Sequence, residues 1–476
     1  MSSIYFLGIG GTAMASVAVA LSHAGHAITG SDTQLYPPMS TYLDDHNIRY
    51  FNGFAANNLL HASPDAVVVG NAISRGNPEL EYALNHHIEL VSMPDLVRQH
   101  LIANNTSLVV TGTHGKTTTT SLIAWLLEHG GLKPGFLVGG IPENFSIGCR
   151  ASGRSEEGFF VSEGDEYDTS FFDKRSKFLL YRPDIAIINN IEFDHADIFN
   201  SLDDIKRSFR LLVNLIPENG ALFVNGDDPV AVDIASRAFC TVERFGLNSE
   251  SEWSAQNISL VEDASSFDVF YKGTLLGNIC VPLFGNYNIM NALAAVAAAT
   301  RTGLPFESIR QGMALFKRPK RRMEIIGSFP GNITLIEDFA HHPTAVRVTL
   351  EAIEQLYAGR RIVTCFEPRS NTTTRNIFQQ ELSDCFEPAS IVVIGKVHRP
   401  DRYRPEESLN ITLLRDSLQK KGKTVFLAGQ HSADYPNDIL DFLNGHLMGG
   451  DVVILLSNGS FSNLKNLLSE SFQKNC

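Results

Sequence analysis

No C-x-x-C pair occurs among the six cysteines, Cys149, Cys240, Cys280, Cys365, Cys385 and Cys476, which excludes zinc-ribbon and thioredoxin-type chemistry. Scattered this widely, they read as reduced thiols of a cytoplasmic protein. Basic residues are in deficit, 39 Lys and Arg against 52 Asp and Glu, and the net charge of -13 argues against nucleic acid as a partner. Small anionic substrates stay open, because a few placed cations suffice for those. No run of about 18 uninterrupted apolar residues is present, so no membrane span is expected. The N-terminus MSSIYFLGIGG has no basic leader, and glycines interrupt its apolar run, so it reads as a first strand rather than a signal peptide. There is no short-period repeat and no low-complexity segment. At 43% hydrophobic and 19% charged, the composition is globular, and 476 residues exceed one ordinary core, so about two to four domains are expected.

What is present is an alternation of apolar strand-like runs with helical patterns, the signature of parallel sheets covered by helices. A first block ends near residue 105, with strands expected at 4–7, 27–30, 49–51, 66–69 and 89–91. A second opens with a strand at 107–110 and continues with strands at 159–161 and 185–188. Within it, FDVFYKGTLLGNICVPL alternates as a hairpin turning at Lys272-Gly273. The helix NIMNALAAVAAATRTG follows and stops at Gly303. The basic, proline-containing FKRPKRRME reads as a hinge. A third block has strands near 333–336, 362–366, 391–394, 424–427 and 452–456. The expected domains are 1–105, 106–322 and 323–476.

The segment SLVVTGTHGKTTTTSLIAWLLEHGG carries the most chemistry. An apolar strand runs into Gly112-Thr113-His114-Gly115-Lys116-Thr117-Thr118, and a helix opens at once. Glycines let backbone N–H groups turn toward a phosphate, and the helix N-terminus adds partial positive charge. Lys116 supplies a full charge and the Thr117 hydroxyl an oxygen for Mg2+. The spacing G-x-x-G-K-T is shorter than the usual phosphate loop, but the strand before and the helix after it argue against a chance Gly-Lys-Thr turn.

Three acidic or histidine clusters follow other strands, where ligands of open α/β sheets gather. SEGDE holds Glu163, a suitable oxygen ligand for Mg2+ beside a phosphate loop. NNIEFDH holds His195, which from the residues alone is as readily a structural histidine as a ligand. EDFAHHPT holds the pair His341-His342, better read as an ordered turn before a helix starting near Thr344 than as a transition-metal site. In the first block, Gly8-x-Gly10-Gly11 follows the first strand and Asp32 the second. Alone this suits a dinucleotide, a UDP-sugar diphosphate or a tight packing turn.

The ordered set GTHGKTTT, SEGDEYD, NNIEFDH, GNYNIMNALAA, RRMEIIG and DFAHHPTA resembles the Mur ligase family over essentially the whole chain. The resemblance implies an α/β protein of three domains: a Rossmann-like N-terminal domain for a UDP-sugar, a central P-loop ATPase-type α/β domain, and a C-terminal Rossmann-like α/β domain that brings the amine. GIGGTAM and DFAHHPT resemble the branch that adds L-alanine to UDP-N-acetylmuramate. YPPMS, GNAISRGNP, DEYDTSFFDKRSKF, EFDHADIF, EPRSNT and LSNGSF resemble the branch that adds a recycled murein tripeptide. The tripeptide reaction, in peptidoglycan recycling, is the expectation, with L-alanine addition as the alternative. A nucleotide-dependent regulatory module is the alternative of another class, disfavoured because a bare switch needs no third α/β block. A nicotinamide dehydrogenase, suggested by the first block alone, does not fit beside so full an ATP site.

Carried over by position, the resemblance implies that residues 112–118 hold the ATP phosphates, with Lys116 as the cation. Thr117, Glu163 and His195 are implied as Mg2+ ligands, Asn288 and Asn291 as adenine contacts, and Arg322 as a γ-phosphate contact. Asp338 is implied near the ribose. Gly8, Gly10, Gly11, Asp32 and the stretch holding Asn71, Asn77 and Glu79 are implied for the UDP-sugar. Arg369, Ser370 and Asn371 are expected at the tripeptide, assisted by Lys396, His398 or Arg399. Several family members carry a carbamylated lysine after the histidine; here Arg210 stands near that position, so carbamylation is not expected.

Overall fold

The computed structural model describes residues 2–37, 39–153, 158–261, 264–429 and 434–474. Cys476 lies outside them; the other five cysteines are free thiols. Among the described residues no helix is long and apolar enough to cross a membrane.

The first sheet contains β1 (Ser3–Leu7), β2 (Ala27–Asp32), β3 (Arg49–Asn52), β4 (Ala66–Val69) and β5 (Glu89–Ser92), in the order β3-β2-β1-β4-β5 and parallel throughout. Runs such as AVVV are apolar on both faces, which is stable only with helices on each side. The order reverses between β1 and β4, and the loops after these two strands border the crevice such a reversal leaves. Tyr5, Leu7, Val67, Val69, Leu59 and Leu80 fill the core on one face.

The central sheet contains β6 (Asn105–Thr111), β7 (Gly135–Leu137), β8 (Cys149–Arg150), β9 (Gly158–Glu163), β10 (Ile185–Ile188), β11 (Ala221–Asn225), β12 (Thr241–Gly246), β13 (Trp253–Val261), β14 (Ala264–Tyr271) and β15 (Thr274–Val281). Its order is β15-β14-β13-β12-β11-β10-β6-β9-β7-β8. β6 lies between β10 and β9, so the loops after all three converge. The expected hairpin is β14–β15, with Lys272 and Gly273 at φ of 49° and 77°, the left-handed pair that a tight two-residue turn requires.

The third sheet contains β16 (Glu324–Phe329), β17 (Ile333–Asp338), β18 (Ile362–Phe366), β19 (Ile391–Ile394), β20 (Thr424–Leu427) and β21 (Val452–Leu456), ordered β16-β17-β21-β18-β19-β20. β16 is an antiparallel edge strand on β17, and its first residue, Glu324, is the last of the segment read from sequence as a hinge.

The chain forms two compact units. One is Met1–Phe193 with Ser201–Pro282 and Ile289–Pro319; the other is Asp194–Asn200 with Leu283–Asn288 and Lys320–Cys476. The first two sheets thus belong to one unit, and three short pieces of residues 106–322 belong to the other.

Candidate active site

In the first unit, the phosphate loop leaves β6 and is pinned from the neighbouring strand. The Thr113 N–H donates to the Asn190 carbonyl at 3.0 Å, and the His114 N–H to the Asn190 side-chain oxygen at 2.7 Å. Gly112 and Gly115 have φ of 127° and 83°, and a Cβ on Gly115 would stand 2.3 Å from Asn291 Oδ1. Only glycine meets both demands at that position. The helix Lys116–His129 then begins with no side-chain hydrogen bond capping its N-terminus.

Lys116 donates to the Gly112 carbonyl at 2.7 Å and to Glu166 at 2.8 and 3.2 Å. Glu166 is 2% exposed and the lysine side chain 12%. Burial alone would lower the lysine's proton affinity, but the Glu166 and Asp165 carboxylates outweigh it and hold the ammonium above the ordinary lysine range. Lys116 is therefore charged at neutral pH. Glu163, at the end of β9, accepts from Thr117 Oγ1 at 3.0 Å and from the Gly139 N–H at 2.8 Å. A hydroxyl and a carboxylate side by side next to a phosphate loop are hard oxygen donors suited to Mg2+.

Asn291 lies beneath the loop: its Oδ1 accepts from Thr119 Oγ1 at 3.2 Å. Thr118 is buried in the same helix. His114 Nε2 is 3.3 Å from a Glu192 carboxylate oxygen. Arg210 forms an ion pair with Asp233 at 3.8 Å.

The glycine loop of the first sheet is closed by Asp32, whose carboxylate accepts from the Gly10 N–H at 2.8 Å. Gly8 has φ of 88°, and Gly11 precedes the helix Thr12–His23. Asn71 is exposed just after β4. The structure gives Asn77 and Glu79 internal roles. Asn77 caps the helix Pro78–Asn85, accepting from the Glu79 and Leu80 N–H groups. Glu79 is fully buried, and it accepts from Ser31 at 2.5 Å, the Ala55 N–H at 3.0 Å and Asn58 at 2.6 Å. Buried carboxylates need such partners.

In the second unit, His195 sits at φ 54°, its N–H donating to Asp194 at 2.7 Å. Asp194 is buried, which by itself would raise its pKa. The rings of His195, His341 and His342 and a 2.8 Å bond from Thr372 reverse this and keep it ionised. His342 caps the helix Pro343–Leu356, as the turn reading expects. Asn288 is buried, donating to the Phe284 carbonyl at 2.8 Å. Arg322 lies between Arg321 and Met323, both left-handed at φ of 60° and 49°. Neither neighbour is glycine, so this bend is held at a cost. The Arg322 guanidinium stands 5.0 Å from the centre of the Phe339 ring. Asp338 ends β17 and accepts from the Met323 and Ala340 N–H groups, both at 2.7 Å. Burial raises its pKa, opposed by Arg322. After β18, Arg369 pairs with Glu367 at 3.4 Å, Ser370 Oγ accepts from the Thr373 N–H at 3.0 Å, and Asn371 donates to Asp197 at 2.7 Å.

Three residues that touch the phosphate loop were not singled out from sequence: Glu166, Asn190, and Asn189, whose side-chain N–H donates to the His114 carbonyl at 3.4 Å. All follow strands flanking β6, and only strand order brings them to the loop. Their acidic and amide runs at strand ends were the available signal.

Comparison with known proteins agrees with this architecture. Residues 3–104 match the Mur ligase family catalytic domain, 110–299 the Mur ligase middle domain, and 321–459 the Mur ligase glutamate ligase domain. The chain belongs to the Mur ligase family, and it is an ATP-dependent amide-bond ligase. The UDP-N-acetylmuramate–L-alanyl-gamma-D-glutamyl-meso-2,6-diaminoheptandioate ligase of Haemophilus influenzae is 41% identical over 393 residues, 82% of this chain and 85% of that protein. The ligase of the same name from Escherichia coli is 35% identical over 473 residues, 99% of this chain and 98% of that one. The crystal structure of a murein peptide ligase from Psychrobacter arcticus shares 32% identity, covers 99% of each chain and superposes with a TM-score of 0.74.

Proposed function

We propose that this chain joins UDP-N-acetylmuramate to the tripeptide L-Ala-γ-D-Glu-meso-diaminopimelate at the expense of ATP, in the recycling of peptidoglycan. The observation that carries the ligase chemistry is the charged, buried Lys116 in a glycine loop beside the Thr117–Glu163 pair. The choice of acceptor is supported by the activity named for the relatives that are 41% and 35% identical. The reaction belongs in the cytoplasm, where ATP and UDP-sugars are found.

A carboxylate is a poor electrophile, so an amide does not form from it directly in water. The lactyl carboxylate of the sugar attacks the γ-phosphorus, giving an acyl phosphate and ADP. The peptide amine then attacks the acyl carbon, loses its proton, and inorganic phosphate leaves. Such transfer depends on positioning and charge neutralisation. Residues 112–118 hold the ATP phosphates, with Lys116 and Arg322 opposing the developing charge. Thr117, Glu163 and His195 would hold Mg2+, which would supply further positive charge at the phosphates. Asn288 and Asn291 serve the adenine side and Asp338 the ribose side. Gly8, Gly10, Gly11, Asp32 and Asn71 border the UDP-sugar, and Asn77 and Glu79 stabilise the domain that carries them. Arg369, Ser370 and Asn371 serve the peptide. The domains are 1–105 for the sugar, 106–322 for ATP and 323–476 for the peptide.

The test is ADP release with each substrate omitted in turn. The ligase reading requires that release depend on both the UDP-sugar and an amine acceptor. Release that ignores both would mark a nucleotide-driven switch instead.

A further inference from the structure

The ends of β18 and β19 carry a concentration of cations in a chain whose net charge is -13. Arg369 lies in the loop after β18; His398, Arg399 and Arg402 lie in the loop after β19. The two loops are tied together. The His398 N–H donates to the Pro368 carbonyl at 3.0 Å, Arg402 donates to the Asn371 side-chain oxygen, and the Tyr403 hydroxyl reaches the Asn371 carbonyl at 3.5 Å. The Arg402 guanidinium lies 5.4 Å from the centre of the Tyr403 ring. Burial, then the guanidinium groups of Arg369 and Arg399, hold the His398 ring below the ordinary histidine range, with Arg402 adding to this and Glu367 opposing it.

Two carboxylates of this region are already engaged. Glu367 is 2% exposed and accepts from Ser457 at 2.5 Å and Tyr435 at 3.4 Å besides facing Arg369. Asp197 accepts from Asn371. Among the described residues, no carboxylate forms an ion pair with Arg399 or Arg402, although both are exposed and Asp401 stands between them in sequence. Arg404, two residues on, does pair with Glu406 and Glu407. Arg399 also holds a left-handed φ of 49°, a conformation that costs energy in any residue but glycine.

We propose that Arg399 and Arg402 form a second carboxylate subsite, distinct from Arg369, which grips the far end of the acceptor peptide. This rests on the tripeptide reading above. The γ-linked tripeptide carries three carboxylates, one on D-glutamate and two on diaminopimelate, whereas L-alanine carries one. A single amino acid can fill one subsite only. A peptide filling both gains charge-assisted, geometrically selective contacts, and one with a neutral amide at the far end forfeits them. Specificity for the recycled peptide then comes from two anchor points rather than from the size of the pocket.

The test is steady-state kinetics of the full chain with the tripeptide, the same tripeptide amidated on both diaminopimelate carboxylates, and L-alanine. The enzymes are wild type, Arg399→Gln, Arg402→Gln and the double variant. Amidation should raise the wild-type KM by ~10-fold or more, the scale of a lost charge-assisted contact. Each single variant should raise the KM for the tripeptide about as much, with kcat within about twofold and the KM values for ATP and UDP-sugar unmoved. In the double variant the penalty for amidation should vanish. Thermal melts matching wild type exclude a folding defect, and Arg402→Lys, which keeps the charge, should restore part of the affinity. Tripeptide use with an unchanged KM in the double variant, or a full amidation penalty there, overturns the subsite alone. A wild-type enzyme that uses L-alanine and not the tripeptide overturns the acceptor reading, and the subsite with it.

Discussion

Lys116 Nζ lies 2.8 Å from a carboxylate oxygen of Glu166, within the first unit and almost out of solvent. The pair keeps the ammonium charged and aims it along the phosphate loop. Lys116→Ala should lower kcat by ~10²–10³-fold, the range for loss of one preorganised charge at a transition state. UDP-sugar affinity, measured by calorimetry, should stay near wild type. Glu166→Gln retains an acceptor but not the charge, so a smaller loss, ~10-fold, is expected. Near-normal turnover in Lys116→Ala would remove the residue from the mechanism.

Arg322 stands between two left-handed residues and beside the buried Asp338. Backbone strain held on both sides of one arginine fits a group placed for chemistry. Arg322→Ala should lower kcat and kcat/KM together while the KM for ATP changes little. A raised KM for ATP with unchanged kcat would show that the side chain only binds nucleotide.

Glu79 satisfies three donors in the first sheet's domain, of which the Ser31 hydroxyl is the buried one. Glu79→Ala should destabilise that domain by about 1–3 kcal/mol for each buried donor left unpaired. The expected record is a lower melting temperature and a loss of UDP-sugar affinity in parallel. A variant that melts like wild type yet fails to bind sugar would restore Glu79 to direct contact with the ligand.

The phosphate loop was legible because its parts are contiguous: strand, glycines, lysine and helix follow one another in sequence. The β14–β15 hairpin was legible for the same reason, since Lys272-Gly273 names its own turn. Glu166 was not, because its pairing with Lys116 depends on β9 lying next to β6, a choice of strand order that local pattern does not encode. The family resemblance implies Asn77 and Glu79 as UDP-sugar contacts; Asn77 ahead of Pro78 is also a helix-start signal, and Glu79 is buried in the first turn of that helix. β16 (EIIGSF) was hidden because it follows directly on the basic, proline-containing segment that reads as a hinge.

His26 and His100 meet edge to face, with ring centres 4.6 Å apart, and the His26 Nδ1 has no hydrogen-bond partner. Burial lowers the pKa of both below 6.5. The folded state therefore binds fewer protons than the unfolded chain once pH falls below the unfolded value. The pair is neutral toward stability above about pH 6.5, and stability is lost as pH falls from there through the folded values. Melting temperatures across pH 7 to 5 should decline, and the double variant His26→Phe with His100→Leu should flatten that part of the slope. An unchanged slope would assign the decline to other groups.

The most direct measurement is kcat/KM for L-Ala-γ-D-Glu-meso-diaminopimelate and for L-alanine, each with saturating UDP-N-acetylmuramate and ATP and ADP release as the readout. The tripeptide should be preferred by ~100-fold or more, the discrimination expected when one substrate makes charge-assisted contacts that the other lacks. Equal use of the two, or preference for L-alanine, would contradict it and make the chain a ligase of the alanine-adding step.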